Sequence, residues 1–160
     1  LTAPAARALL AALLLAAVPA AGAAASDAGP PDAAILGNWL TEPRDGIIAI
    51  TRSADGLYEG RIIGGNAPQR LDARNPDPAR RSLLLLGQVI LTGMRYGGEG
   101  VWTGGRIYDP DSGRTYRCRI ELRGDAQLQV RGYIGFALLG RTQLWTRYLG
   151  SSMTLPATAP

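Results

Sequence analysis

From about residue 35 onward, apolar and polar side chains alternate in short runs, and turn residues interrupt the alternation every few positions. A period of two places successive side chains on opposite faces of an extended chain, so each run predicts a strand with one buried and one solvated face. The clearest is 114–123, where Tyr116, Cys118, Ile120 and Leu122 share one face while Thr115, Arg117, Arg119, Glu121 and Arg123 share the other. Similar runs fall at 36–41, 46–52, 57–64, 88–94, 101–108, 128–134 and 142–148, which makes about eight strands. No helical stripe of comparable length is present. Asp55-Gly56, Gly97-Gly98, Asp111-Ser112-Gly113 and Gly124-Asp125 supply the positive-φ residues that hairpin turns require. Strands adjacent in sequence should therefore be adjacent in the sheet. The expected fold is all-β, an antiparallel up-and-down barrel, because closure removes the two exposed edges of an open sheet.

The N-terminal segment follows another pattern. Arg7 precedes a run of Ala, Leu and Val from 8 to 18, then Pro19, then the small residues Ala23, Ala24 and Ala25. A charge, an apolar stretch and small residues in that order predict a secretory signal peptide over 1–25, cleaved near Ala25. The apolar run falls well short of the ~20 residues that cross a bilayer, so no membrane anchor is expected. Residues 26–34 read as a linker, 35–149 as the barrel domain, and 150–160, small, polar and Pro-containing, as a disordered tail. An outer-membrane barrel would need an apolar outer band, whereas the outward face of 114–123 carries arginines.

Composition narrows the chemistry. Cys118 is the only cysteine, so neither a lipid anchor after the leader nor an internal disulfide is available. The chain has 17 basic and 13 acidic residues, and its basic set is entirely arginine, with no lysine and no histidine. That near balance fits solvated strand faces and ion pairs better than a nucleic-acid surface. Without histidine the common nucleophilic dyads and metal sites are missing, and the spacing of the acids pairs no two of them for hydrolysis. The chain is therefore read as a non-enzyme, with no cofactor and no metal. Asp109-Pro110-Asp111-Ser112-Gly113 begins like a calcium loop but lacks the later bidentate Glu, so a capped hairpin turn is expected.

Gly37-Asn38-Trp39 opens the first predicted strand and Trp145-Thr146-Arg147 ends the last. With an even strand count the last strand runs antiparallel beside the first, which brings Arg147 to the Trp39 end of the barrel. A guanidinium stacked there on the indole would close that end. Gly37, Trp39 and Arg147 are accordingly assigned to barrel closure, an arrangement that resembles the signature of lipocalin and calycin barrels. Over nearly all of 36–148 the sequence also resembles the bacterial family catalogued as domain of unknown function 2147. The resemblance is carried by Asp72-Ala73-Arg74-Asn75-Pro76 with Arg80 or Arg81, by Trp102-Thr103-Gly104-Gly105-Arg106-Ile107-Tyr108-Asp109-Pro110 with Gly113 and Tyr116, by Arg131-Gly132-Tyr133-Ile134-Gly135, and by Gly140-Arg141-Thr142-Gln143 with Trp145. It departs from that pattern at 83–86, where four leucines stand in place of another Arg and a Pro. The resemblance implies a small exported protein with a lipocalin-like barrel, hence a periplasmic address, and it transfers no catalytic residue.

The connection between the third and fourth strands, 65–87, is the one long loop, and Asp77 ahead of Pro78 can cap a short helix within it. One reading is an internally hydrogen-bonded loop. Another is a lid whose Arg80 and Arg81 receive an anionic head group while Leu83 to Leu86 face a cavity. Gly104-Gly105 is expected to bend its strand or leave space inside. Trp102, Tyr108, Tyr116 and Tyr133 are candidate pocket residues, and Phe136 and Trp145 are expected in the core or wall. Two functions follow: a barrel that binds a small hydrophobic, lipid-like or anionic amphiphilic ligand, or a structural or interaction module of the envelope whose barrel is filled by its own side chains.

Overall fold

The computed structural model describes residues 31–135 and 140–156. Eight strands, β1 Gly37–Leu40, β2 Gly46–Arg52, β3 Tyr58–Gly65, β4 Val89–Tyr96, β5 Val101–Asp109, β6 Arg114–Arg123, β7 Gln127–Tyr133 and β8 Gly140–Arg147, follow one another around a closed barrel. Each pairs antiparallel with its sequence neighbours, and β1 with β8. The expected up-and-down, lipocalin-like topology is the one observed. β2 and β6 have the bounds expected for them, and on β6 Cys118 and Ile120 are fully buried while Arg114, Arg117 and Arg123 point outward and half-buried Arg119 reaches Glu121.

The two ends of the barrel differ. The tight turns after β2, β4 and β6 lie at one end, where Gly56, Gly98 and Gly124 take positive φ. A 3-10 turn at Pro31–Ile35 crosses the same end and puts Ile35 into the core. Trp39 is directly opposite Arg147 in the β1/β8 register, and the Arg147 guanidinium lies 4.2 Å from the centre of its ring. That guanidinium also donates to the carbonyls of Leu36 at 3.0 Å, Ala34 at 2.8 Å and Asp125 at 3.0 Å, tying the entering chain and the β6/β7 turn to the last strand. Trp39 Nε1 donates to Ile35 O at 2.8 Å. Gly37 has φ +114°, which favours glycine, and a Cβ there would stand 3.2 Å from Arg147 Nη1, a tight contact the guanidinium would have to relieve. Gly37, Trp39 and Arg147 thus form one closing unit, and residues 31–34 of the expected linker belong to it.

Trp39, Tyr58, Met94, Trp102, Ile120 and Leu128 fill the interior at this end. Gly104 has φ +80° at a bulge in β5, and a Cβ on Gly105 would collide with Met94 Sδ. The glycine pair therefore bends the wall as expected, but the space it leaves is occupied by Met94.

Beyond Ile62, β3 separates from β4 and exposes its outer edge. The chain after β8 takes that edge: Gly65 N donates to Met153 O at 2.9 Å and Leu155 N donates to Gly65 O at 3.0 Å. The expectation of a disordered tail over 150–160 is corrected for its described part, because an unpaired strand edge recruits backbone partners. The predicted signal peptide, residues 26–30, Phe136 and residues 157–160 lie outside the described residues.

Replacing Arg147 by Ala removes the ring contact and three charged hydrogen bonds at once and is expected to cost about 3 kcal/mol in urea unfolding. Arg147→Lys should recover little of it, since an ammonium cannot reach the three carbonyls while stacking on the indole.

Candidate functional site

The opposite half of the barrel is not filled. Ile48, Ile62, Ile90, Ile107, Val130 and Trp145 line a cavity of about 630 Å3 that opens at the end bearing the long loop. Gly46, Gly64, Gly132 and Gly140 also border it, and at Gly64 and Gly140 the glycine admits close backbone approach, by Met153 O and Gly132 O respectively. Gly132 is registered against Cys118 on one side and Arg141 on the other, and a Cβ there would touch Ile107 and Tyr116 of the cavity lining.

Tyr108, Tyr116 and Tyr133, three of the candidate pocket residues, stand around the mouth. Asp45, Arg70, Asp109, Asp111 and Arg141 complete a polar rim. Most of these charges are already engaged. Asp45 accepts from Thr41 Oγ1 at 2.6 Å, Asp109 caps its own turn through Asp111 N at 2.9 Å and Ser112 Oγ at 2.7 Å, and Arg70 pairs with Asp111 at 2.5 Å. The Asp109 to Gly113 segment is thus the capped hairpin turn expected of it.

The loop 66–88 is clamped to the mouth rather than hinged over it. Asp72 is completely buried and accepts from Tyr108 Oη at 2.6 Å and from Asn75 Nδ2 at 2.6 Å. Arg74 donates to the Asp111 carbonyl, and a Cβ on Gly113 would collide with Arg74 O. Within the loop Asp72 N donates to Leu83 O at 2.9 Å and Leu85 N to Arg70 O at 2.9 Å, a short antiparallel pairing with Leu71 opposite Leu84. Asp77 caps the 3-10 turn Pro78–Arg80 by accepting from Ala79 N, as expected. The internally hydrogen-bonded reading of this loop is the one the structure supports.

Several expected site residues are elsewhere. Arg80 donates to Gln88 Oε1 at 3.1 Å and Arg81 to Asn75 O at 2.8 Å, both on the outside of the loop, so neither lines the cavity. The capped turn points them away, and Arg81 serves as a strut. Trp102 is buried in the filled half against Tyr58, 6.2 Å away, and Tyr96, 5.1 Å away. Of the leucine run, Leu85 and Leu86 line the cavity whereas Leu83 and Leu84 turn outward. Sequence reasoning missed Arg70 and Arg141. Arg141 was accessible to it, since it stands two and four residues before Gln143 and Trp145, which share its face of β8 and also line the cavity.

Two groups are held neutral. Burial, with the hydrogen bond to Asp72, pushes Tyr108 up to about 12, and burial pushes the Cys118 thiol up to about 12. Cys118 is a fully buried core side chain.

Residues 37–147 match the family described as "Uncharacterized protein conserved in bacteria (DUF2147)". The chain belongs to this family. No curated protein matches. Among solved structures, the DUF2147 barrel is similar to one titled "Protein HP1028 from the human pathogen Helicobacter pylori belongs to the lipocalin family", with a TM-score of 0.64 and 20% identity over 71% of this chain and 82% of that one. At that identity the likeness establishes the lipocalin-like fold of the DUF2147 barrel.

Tyr108→Phe deprives buried Asp72 of one of its two side-chain partners and is expected to cost about 1–3 kcal/mol. Because the folded-state value of Tyr108 lies above its ordinary value of 10, its contribution is complete below pH 10 and is lost as the pH rises through about 12. Urea midpoints of the wild type should fall over that interval more steeply than those of Tyr108→Phe. Cys118 should resist a thiol reagent in the native protein and react once urea unfolds it.

Proposed function

We propose that the protein is an exported, periplasmic binder of a small, predominantly hydrophobic or lipid-like molecule, held in the open half of the barrel without chemical conversion. The observation that carries this reading is the division of the interior: Trp39, Trp102 and their neighbours seal one half, while aliphatic side chains surround about 630 Å3 open to solvent in the other. Ligand pockets occupy roughly 300–1,000 Å3, are mainly apolar and carry a few polar groups at fixed places. The isoleucine-lined wall and tyrosine-bearing rim have that composition. A barrel that served only as a structural module would gain from filling this volume, since every empty position forfeits dispersion attraction.

Export is supported by the order of charge, apolar run and small residues over 1–25. Binding without catalysis is supported by the lack of histidine, the usual base of nucleophilic dyads, and by the complete burial of the Cys118 thiol.

Native mass spectrometry of protein purified from the periplasm, followed by organic extraction, should find a bound small amphiphile. Ile62→Trp, which projects a larger ring into the cavity, should leave the protein folded and abolish that mass. Wild type that is uniformly empty and takes up no fatty acid or hydrophobic dye would overturn the reading.

A further inference from the structure

The leucines that turn away from the cavity leave an uncovered apolar surface at the mouth. Leu71, Leu83, Leu84 and Leu86 are between 40% and 48% exposed, and Ile134, across the opening, is 61% exposed. Leu71 and Leu84 are directly opposed in the loop's short ladder, so their side chains stand on one face. Leu86 and Ile134 also line the cavity, so part of this exposed apolar set borders its opening. Elsewhere among the described residues, only Leu144 and Leu149 are large exposed apolar side chains. The clustering is thus specific to the open end.

The charge around these leucines is one-sided. Residues 66–88 carry four arginines and two aspartates. Asp72 is buried and occupied by Tyr108 and Asn75, and Asp77 caps the 3-10 turn. Arg70 has a carboxylate partner in Asp111, but among the described residues Arg74, Arg80 and Arg81 bond only to carbonyl or amide oxygens: Asp111 O, Gln88 Oε1 and Asn75 O. Gln88 also donates to Leu84 O at 2.7 Å, which brings the Arg80 guanidinium beside the exposed leucine pair. Three guanidinium groups without described carboxylate partners therefore sit in the same short loop as the exposed leucines.

We propose that this face docks the barrel, mouth first, onto an anionic phospholipid surface. Leucines embedded at the headgroup boundary supply apolar burial, and nearby arginines supply attraction to anionic lipid; the combination is what interfacial binding requires. The occupant is a bilayer rather than a protein because Arg74, Arg80 and Arg81 make no ion pair among the described residues and the exposed leucines include Leu86 at the edge of a cavity sized for a small apolar molecule. Docking in this orientation would open the cavity directly onto the lipid phase. The inference does not depend on any particular ligand, and it is tested separately from binding in the cavity.

Cosedimentation with vesicles of phosphatidylcholine and phosphatidylglycerol in equal parts, at low and high salt, provides the test. Binding should exceed that to pure phosphatidylcholine vesicles and should weaken with salt. The exposed double variant Leu83→Ser/Leu84→Ser should lower partitioning on the order of tenfold or more, as should Arg80→Gln/Arg81→Gln. Circular dichroism melting identifies any variant that has lost its fold, and the arginine pair gives an independent route if the leucine pair does. Absence of binding to the anionic vesicles, or binding that both folded variants retain in full, overturns the proposal. So does a wild-type dimer that Leu83→Ser/Leu84→Ser dissociates while no vesicle binding is seen, because the face would then be covered by a second copy.

Discussion

Closure between β1 and β8 is the constraint on which this barrel depends. The seam registers only two residue pairs, Trp39 with Arg147 and Leu40 with Thr146, whereas β7 and β8 register seven. So short a ladder would be a weak join on backbone bonds alone. Arg147 reinforces it from the side-chain level, stacking on Trp39 while holding three carbonyls that belong to the entering chain and to the β6/β7 turn. A planar, permanently charged group with five N–H donors can do both at once. No disulfide is available to share the task, since Cys118 is alone and buried.

With the seam closed, the interior is free to be unequal. Apart from Trp145, the almost completely buried aromatic rings are concentrated at the sealed end, where Trp39, Trp102 and Tyr58 each contribute on the order of a few kcal/mol of apolar burial. That concentration offsets the sparser packing around the cavity at the other end. Glycines admit close packing in both halves: Gly105 allows Met94 to press against the wall, and Gly132 lets Ile107 and Tyr116 lie close to its backbone.

The long loop is the second device the cavity needs. It would be a floppy cover if hydrogen bonds did not fasten it, and the fastening is a buried carboxylate: Asp72, satisfied by Tyr108 from the barrel and Asn75 from the loop. Leaving such a group unpaired costs more than its bonds return, so the three residues stand or fall together. Once the loop is fixed, Leu85 and Leu86 have a defined inward position and Leu71, Leu83 and Leu84 a defined outward one. The same clamp that shapes the mouth therefore exposes the leucines beside the arginines.

Much of this was legible beforehand. Period-two alternation located the eight strands, and the turn glycines made sequence neighbours into spatial neighbours, because both are local consequences of backbone geometry. Chain direction alone then brought Trp39 to Arg147. Of the residues the sequence offered for a pocket, Tyr108, Tyr116 and Tyr133 line the cavity, whereas Trp102, Arg80 and Arg81 do not. Their positions depend on height within the barrel and on which side of a folded loop they occupy. Alternation says which face of a strand is buried; it does not say whether that depth is filled or hollow. Only the tertiary structure decided that, because packing along the barrel axis is set by side chains from all eight strands meeting at one level, among them residues as distant in sequence as Ile48 and Trp145.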